Sequence, residues 1–298
     1  MLYQIKGKKV HIVQEKPFKL EKDLQLLFED NLKDILGLSV VKTEFSIANR
    51  RFDTLAFDET SNSFVIIEYK KKQNDSVVDQ GFTYLGLMLN NKSDFILALV
   101  NKGYKDSVYN NIDWSKSRVI FVSPQFTEMQ KQSINFPDLP IDLLEITKYD
   151  NDTMFINKIN KTGTASYKPL AKTSVQQQVA KDIKVYTEQD HLNNKSEEMQ
   201  ELYESIKNML LSLYPFTIEP QKLYIAYKKQ NKNVCDIEIQ NKQLKIHFNA
   251  KKGSIKDYKK LLKDMSNIGS WGNGDYQICI KDDSNIDYIK DIVSQILN

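Results

Sequence analysis

Apolar positions recur along the chain with two periods. In the first 15 residues they alternate, which predicts a short hairpin turning at Gly7. Leu20, Leu24, Leu27, Phe28 and Ile35 recur at helical spacing and predict a helix over Lys19–Leu36, stopped by Gly37. Strands are predicted over Ser39–Ile47, Phe52–Phe57 and Phe64–Lys70, with the turn-forming run DETSNS at Asp58–Ser63 between the last two. Val77–Leu89 returns to a helical pattern. Asp94–Val100 and Arg118–Val122 read as buried strands, Gln125–Ser133 as a helix, and Ile141–Thr147 with Thr153–Ile159 as a closing hairpin.

The period fades over residues 161–195. The stretch TGTASYKPLAKTSVQQQ is small, polar and proline-containing, as expected of a linker. A second unit follows. Glu197–Leu213 is an amphipathic helix; Lys222–Tyr227, Val234–Ile239, Leu244–Phe248 and Tyr276–Ile280 are short strands; Ile255–Met265 and Ile286–Leu297 are helices. The expected organisation is an α/β domain over 1–160, a linker over 161–195 and a small α+β domain over 196–298. A chain of 298 residues is long enough to bury a core in each.

Charge narrows the partners only a little. Residues 1–160 hold 21 basic and 22 acidic residues, and 161–298 hold 21 and 17, so the net charges are −1 and +4 and the second unit is the more anion-friendly. Three of the basic residues are arginines, Arg50, Arg51 and Arg118, so bidentate phosphate recognition is not spread over the surface. Cys235 and Cys279 cannot build a disulfide framework or a four-ligand zinc site alone. The start of the chain lacks an apolar signal core, and the longest apolar run, Phe95–Val100, is far short of a membrane span. The expectation is a cytoplasmic protein with no membrane partner.

The segment FVIIEYK, Phe64–Lys70, is the most informative. Its continuous apolar run predicts a central strand covered on both faces. Glu68 and Lys70 then project to one side of its end. Charges there are costly unless paired or metal-bound. Asp53 lies on the preceding strand and reaches the same edge if the two strands pair antiparallel. Two carboxylates and a lysine around one point suit a hard cation such as Mg²⁺ and a lysine-oriented water. The same residues also suit an internal Glu–Lys pair beside an unrelated aspartate. Glu21 and Glu29 lie on similar sides of the first helix, and Gln80 and Tyr84 share a face of the helix after the strand.

This set resembles the PD-(D/E)XK nuclease superfamily. Glu29 stands on the first helix, Asp53 on the second core strand and Glu68-Tyr69-Lys70 on the third, while Gln80-x-x-x-Tyr84 is similar to the QxxxY signature of RecB-type nucleases. The chain resembles NucS-like (EndoMS-like) endonuclease domains more closely: E-x-x-L-Q, E-x-N and GL fall within Glu21–Leu38, followed by R-x-D-x-L at Arg51–Leu55 and V-I-I-E-Y-K at Val65–Lys70. Phe52 replaces the motif proline. The likeness covers roughly 19–122. It implies a restriction-endonuclease-like mixed sheet core with flanking helices and Mg²⁺- or Mn²⁺-dependent cleavage of DNA, in repair or defence. By that resemblance Asp53, Glu68 and the Tyr69 carbonyl bind the metal, and Glu29 adds a further ligand through water. Lys70 orients the attacking water, Gln80 and Tyr84 position the site or the strand, and Arg51 supports it. A homodimer is expected by analogy. The whole chain is also similar to bacterial proteins that end in a small α/β domain of unknown function. The alternative to cleavage is a module that binds nucleic acid, or another partner, on a nuclease fold without cutting.

Other candidates read more simply. The glycine-dense Gly269–Gly274 precedes a strand and is expected to be a turn. Asp236, Glu238 and His247 could mimic a metal site but are expected on a solvated face. Lys251, Lys252, Lys256, Lys259, Lys260 and Lys263 form a basic stretch over the predicted helix, expected to be a solvated face, with Tyr224, Tyr227 and Tyr258 nearby. Cys235 and Cys279 are expected to be buried thiols.

Overall fold

A computed structural model describes residues 1–70, 76–230, 232–266 and 274–297. The chain divides into two compact units, Met1–Val185 and Tyr186–Asn298.

The first unit opens with a hairpin, β1 (Leu2–Lys6) and β2 (Lys9–Val13), turning at Gly7 with φ +65°. The predicted helix over 19–36 is two helices, α1 (Glu21–Asp30) and α2 (Leu32–Leu36). They break at Asn31, whose φ of −121° leaves the helical region and whose side chain caps Leu27 O. Gly37 ends α2 in the left-handed conformation. Strands β3 (Ser39–Ile47), β4 (Arg50–Asp58) and β5 (Ser63–Tyr69) form an antiparallel meander. Helices α3 (Val77–Asn90), α4 (Lys92–Lys102) and the short α5 (Asp106–Tyr109) then cross over to β6 (Arg118–Ser123), which runs parallel to β5. After α6 (Glu128–Ser133) come β7 (Ile141–Lys148), parallel to β6, and β8 (Met154–Lys158), antiparallel to β7. The result is a mixed six-stranded sheet in the order β3-β4-β5-β6-β7-β8. Every residue of β5 is buried, as its apolar run requires. Leu24, Phe28 and Leu32 of α1 and α2 cover one face over Ala56, Val65 and Ile67. Helices α3 and α4 cover the other over Leu55, Phe57, Phe64 and Ile66.

Two expectations for this unit are corrected. Asp94–Val100 is not a strand but the middle of α4. Its buried residues Phe95, Ala98 and Leu99 lie at i, i+3 and i+4, while Leu97 and Val100 face outward. A six-residue apolar run does not distinguish the two periods. Residues 161–185 are not a linker. Tyr167, Val179 and Ile183 are buried in the core of the first unit, Asn135 Oδ1 accepts from the backbone of Thr162 and Gly163, and α7 (Ser174–Asp182) packs on α3.

The second unit has α8 (Glu188–Leu192) and α9 (Glu197–Leu213), then β9 (Thr217–Pro220), β10 (Ile225–Lys229), β11 (Lys232–Ile239), β12 (Leu244–Phe248), β13 (Lys263–Asp264), β14 (Tyr276–Ile280) and α10 (Ile286–Leu297). The antiparallel sheet has the order β13-β14-β12-β11-β10-β9. Helices α9 and α10 pack on the face carrying Ile225, Tyr227, Ile237, Ile246 and Ile278.

The helix expected over Ile255–Met265 is absent. Lys260 has φ +55°, and the Asp257 carboxylate accepts from the backbone of Leu261 and Leu262 at 3.3 and 3.0 Å, a local alternative to helix. Cys235 is buried as expected, but Cys279 is exposed, because alternation along β14 points it away from the helices. Asp236, expected to be solvated, is buried at 1% exposure and accepts from Asn233 at 2.7 Å. Glu238 pairs with Lys245 at 2.9 Å. Residues 269–273 of the glycine-dense loop lie outside the described residues. Among the described residues no helix is long and apolar enough to cross a membrane.

Candidate active site

The site lies where β4 and β5 part. Their pairing ends at Thr54↔Ile67. One step further stand Asp53 on β4 and Glu68 on β5, the latter continuing the row of Ile66 on the face covered by α3. Side chains there take over from the ladder. Asp53 Oδ2 accepts the Tyr69 N–H at 2.9 Å, and the buried Gln25 of α1 donates to Asp53 O at 2.9 Å. The antiparallel pairing that the sequence reading required is thus present, and it brings the two carboxylates to one edge.

Glu68 is buried, at 7% exposure. Its Oε1 accepts from Lys70 Nζ at 3.2 Å and from Gln80 Nε2 at 2.9 Å. Gln80 also donates to Tyr84 Oη at 2.6 Å. Gln80 and Tyr84 share one face of α3, as i and i+4 must, and that face meets the end of β5. Glu68 Oε2 is buried and makes no hydrogen bond of regular geometry among the described residues, and the Tyr84 phenol interacts with the same carboxylate. Burial pushes the Glu68 carboxyl above its usual range, against the pull of Lys70. Burial and the neighbouring Glu68 charge push Asp53 up to about 6, with Glu21 and Glu44 adding to the effect. Burial likewise raises the Tyr84 phenol.

The buried Glu68 oxygen and a second carboxylate of raised pKa share the edge with the Lys70 ammonium that pairs with Glu68. Among the described residues no group of three or more His, Cys, Asp or Glu is arranged to hold a metal ion. Asp53 and Glu68 alone are two carboxylates, a donor set that would suit Mg²⁺ or Mn²⁺ retaining most of its waters.

The other expected residues divide. Glu29 is held by its neighbours: its Oε1 accepts from Gln25 and Thr54 at 3.0 and 2.5 Å, and its Oε2 from Thr43 at 2.9 Å. It acts on the backbone of Asp53 through Gln25. Arg51 is drawn away, pairing with Glu44 at 2.8 Å alongside Lys22. The Tyr69 ring is buried edge-on to Phe28, with centroids 5.8 Å apart.

Beside Lys70, Gln80 and Tyr84 opens a polar cleft of about 350 Å³, also lined by Arg50, Ser76, Asp79 and Thr83. Sequence reasoning missed Arg50. The signal was alternation: along β4, Arg50 and Arg51 must point to opposite sides, so one of them is free to face the cleft. Gln25 was missed too, because a glutamine on a helix carries no chemistry until its partner is known.

An uncharacterized protein of Haemophilus influenzae is 48% identical over 295 residues, spanning 98% of this chain and 97% of the relative. The chain belongs to that protein's family. The model of a domain of unknown function, DUF5655, matches residues 188–295, within the second unit. Among solved structures, the chain is similar to the EndoMS-dsDNA2 complex (16% identity, 44% of this chain, 47% of that one, TM-score 0.24) and to Pyrococcus furiosus SfsA in complex with Ca²⁺ (12%, 46%, 63%, TM-score 0.24). It spans less than two thirds of either, and at that score neither likeness bears on the reading of the site.

Proposed function

We propose that the first unit is a PD-(D/E)XK-type, metal-dependent phosphodiesterase that cuts DNA. The observation that supports this is the Asp53–Glu68 pair with Lys70: one Glu68 oxygen is buried with no hydrogen bond of regular geometry, the other is held by a lysine and a glutamine, and a polar cleft adjoins them.

Asp53, Glu68 and the Tyr69 carbonyl would hold a Mg²⁺ or Mn²⁺ ion. When bound, the cation supplies Lewis acidity toward the scissile phosphate and lowers the pKa of a water. Lys70, oriented by Glu68 Oε1, donates a hydrogen bond to the attacking water or to the developing negative charge on phosphate. Gln80 fixes the Glu68 carboxylate, and Tyr84 fixes Gln80. Arg50, on the cleft wall, takes a backbone phosphate of the bound strand. The water oxygen bonds to phosphorus as the bond to the leaving oxygen breaks.

The test is cleavage of end-labelled single-stranded, duplex, flap and mismatched DNA, with RNA alongside, in Mg²⁺, Mn²⁺ or EDTA. Wild type runs beside Glu68→Gln and Lys70→Ala. Metal-dependent cutting lost in both variants, each still unfolding cooperatively, is the expected result. No cutting in any metal, with salt-sensitive retention of DNA, would replace the nuclease reading with a binding one.

A further inference from the structure

Helix α3 presents three stripes, each to a different surface. Gln80 and Tyr84, at i and i+4, meet Glu68. Gly81 rests on the sheet: a Cβ there would lie 2.5 Å from Ile141 Cδ1 on β7. Phe82, Gly86 and Asn90, at i, i+4 and i+8, face the segment 161–185. The contacts on that third stripe follow one another in chain order. The Phe82 and Tyr167 rings have centroids 5.6 Å apart, a Cβ at Gly86 would lie 2.6 Å from Val175 Cγ1, and Gln178 Nε2 donates to Asn90 Oδ1 at 3.0 Å. At about 100° per residue, Gly86 stands about 140° around the axis from Gly81, so the sheet and this strap grip α3 from two sides.

The strap is anchored to the first unit at both ends. Near its start, Lys161 Nζ donates to Leu139 O, Asn135 Oδ1 accepts from the backbone of Thr162 and Gly163, and Asp138 Oδ1 accepts the Tyr167 N–H at 3.1 Å. At its end Ile183 is buried and Lys184 N donates to Ser115 O at 2.9 Å. The Tyr167 hydroxyl is buried and makes no hydrogen bond among the described residues, so the ring carries the contact with Phe82. Glycine inside a helix is unfavourable relative to alanine, and α3 has one at each of its two closest approaches. Carbon atoms in contact sit about 3.5–4.0 Å apart, so either approach would have to open by about 1 Å to admit a methyl. The helix therefore has little room to move between the sheet and the strap.

We infer that residues 161–185 are a positioning element of the site: Tyr167 and Val175, acting through α3, hold Gln80 against Glu68. Gln80 Nε2 lies 2.9 Å from Glu68 Oε1 and 2.6 Å from Tyr84 Oη. A shift of α3 by about 1 Å takes both separations out of hydrogen-bond range. It would leave the Glu68 carboxylate, and with it Lys70, without the support that α3 gives. A misplacement of about 1 Å caused far from the chemistry can cost about 100-fold in rate. The effect on cutting rests on the proposed reading of the site, whereas the placement of Gln80 is read without substrate.

Full-length variants test it with two readouts. One is steady-state cleavage. The other is the pair of Gln80 side-chain amide resonances in proton–nitrogen NMR of the metal-free protein, assigned by their loss in Gln80→Ala. Tyr167→Ala removes the ring, and Tyr167→Phe keeps it. Leu144→Ala, buried on the sheet face away from α3, controls for lost stability alone. Tyr167→Ala is expected to lower kcat by about 10–100-fold with KM within about twofold, and to move the amide pair toward solvent-exposed values. Tyr167→Phe should match wild type in both readouts. Gly86→Ala should repeat the loss, and Val175→Ala in the same chain should restore it, which keeps the test decisive if Tyr167→Ala does not fold. Amide resonances that stay in place in Tyr167→Ala and Gly86→Ala, or that move as far in Leu144→Ala, overturn the inference. A wild type that cuts nothing in any metal removes the nuclease reading, and the amide resonances still decide the placement.

Discussion

Asp53 on β4 accepts the backbone N–H of Tyr69 on β5, so a side chain replaces a ladder bond where the two strands part. The same carboxylate faces Glu68 across the gap. Its position is thus fixed by the backbone while its charge is opposed by its surroundings, a combination expected where a cation is to be held.

The opposition can be measured in the metal-free protein. Burial and Glu68 raise Asp53 from 3.8 to about 6. A carboxyl whose folded value lies above its unfolded one favours folding when protonated. That contribution is complete below about pH 4 and is lost as pH rises through about 6. Asp53→Asn keeps an oxygen for the Tyr69 N–H and removes the charge. In EDTA it should stabilise the first unit by about 1–2 kcal/mol near pH 8, a figure discounted for partial exposure, and change little near pH 4. Urea unfolding at the two pH values decides this; equal effects at both would show that Asp53 is not perturbed.

A divalent cation should relieve the same repulsion. Mg²⁺ or Mn²⁺ at about ten times its Kd should add about 1.4 kcal/mol to wild type. Asp53→Asn and Glu68→Gln should show no such gain. Differential scanning calorimetry with a metal titration reads this without any substrate, so it separates metal binding from cleavage.

Much of this edge was legible in the sequence, for physical reasons. In β5 the apolar run demands cover on both faces, so Glu68 and Lys70 had to emerge at its end; Gln80 and Tyr84 share a helix face by spacing alone. Elements with one strongly apolar face, such as β12, β14 and α10, were also readable, to the residue. What could not be read depended on tertiary partners. Helix α4 and a strand share the pattern of a short apolar run. The fate of Glu29 turned on the Thr43 and Thr54 hydroxyls, and that of Arg51 on Glu44. Segment 161–185 looked like a linker because its few apolar residues are widely spaced, yet three of them fill a groove of the first unit.

Gln25 tests whether that edge is held from α1. Its amide donates to both Asp53 O and Glu29 Oε1 and is buried at 4% exposure. Gln25→Ala leaves a carbonyl and a carboxylate oxygen each short of a donor, which should cost about 1–3 kcal/mol. Metal affinity should fall as well, because Asp53 loses its support. Gln25→Glu, close in size but unable to donate when ionised, should be at least as damaging near neutral pH. Chemical unfolding with Mn²⁺ titration of the same variants checks both effects.

The docking of α7 on α3 gives a prediction whose sign changes with background. A Cβ at Gly86 would lie 2.6 Å from Val175 Cγ1, so the glycine is there for close approach. In a helix interior Gly→Ala gains about 1 kcal/mol from propensity. Forcing a methyl into a packed contact costs about 1–3 kcal/mol. With Val175 in place the clash wins, and Gly86→Ala should destabilise the first unit. In a Val175→Ala background the obstacle is gone and the same substitution should stabilise by about 1 kcal/mol. Urea unfolding of the four proteins of this cycle measures the coupling. A coupling near zero would mean that α7 does not rest on Gly86, and that residues 161–185 contribute less to the first unit than their burial indicates.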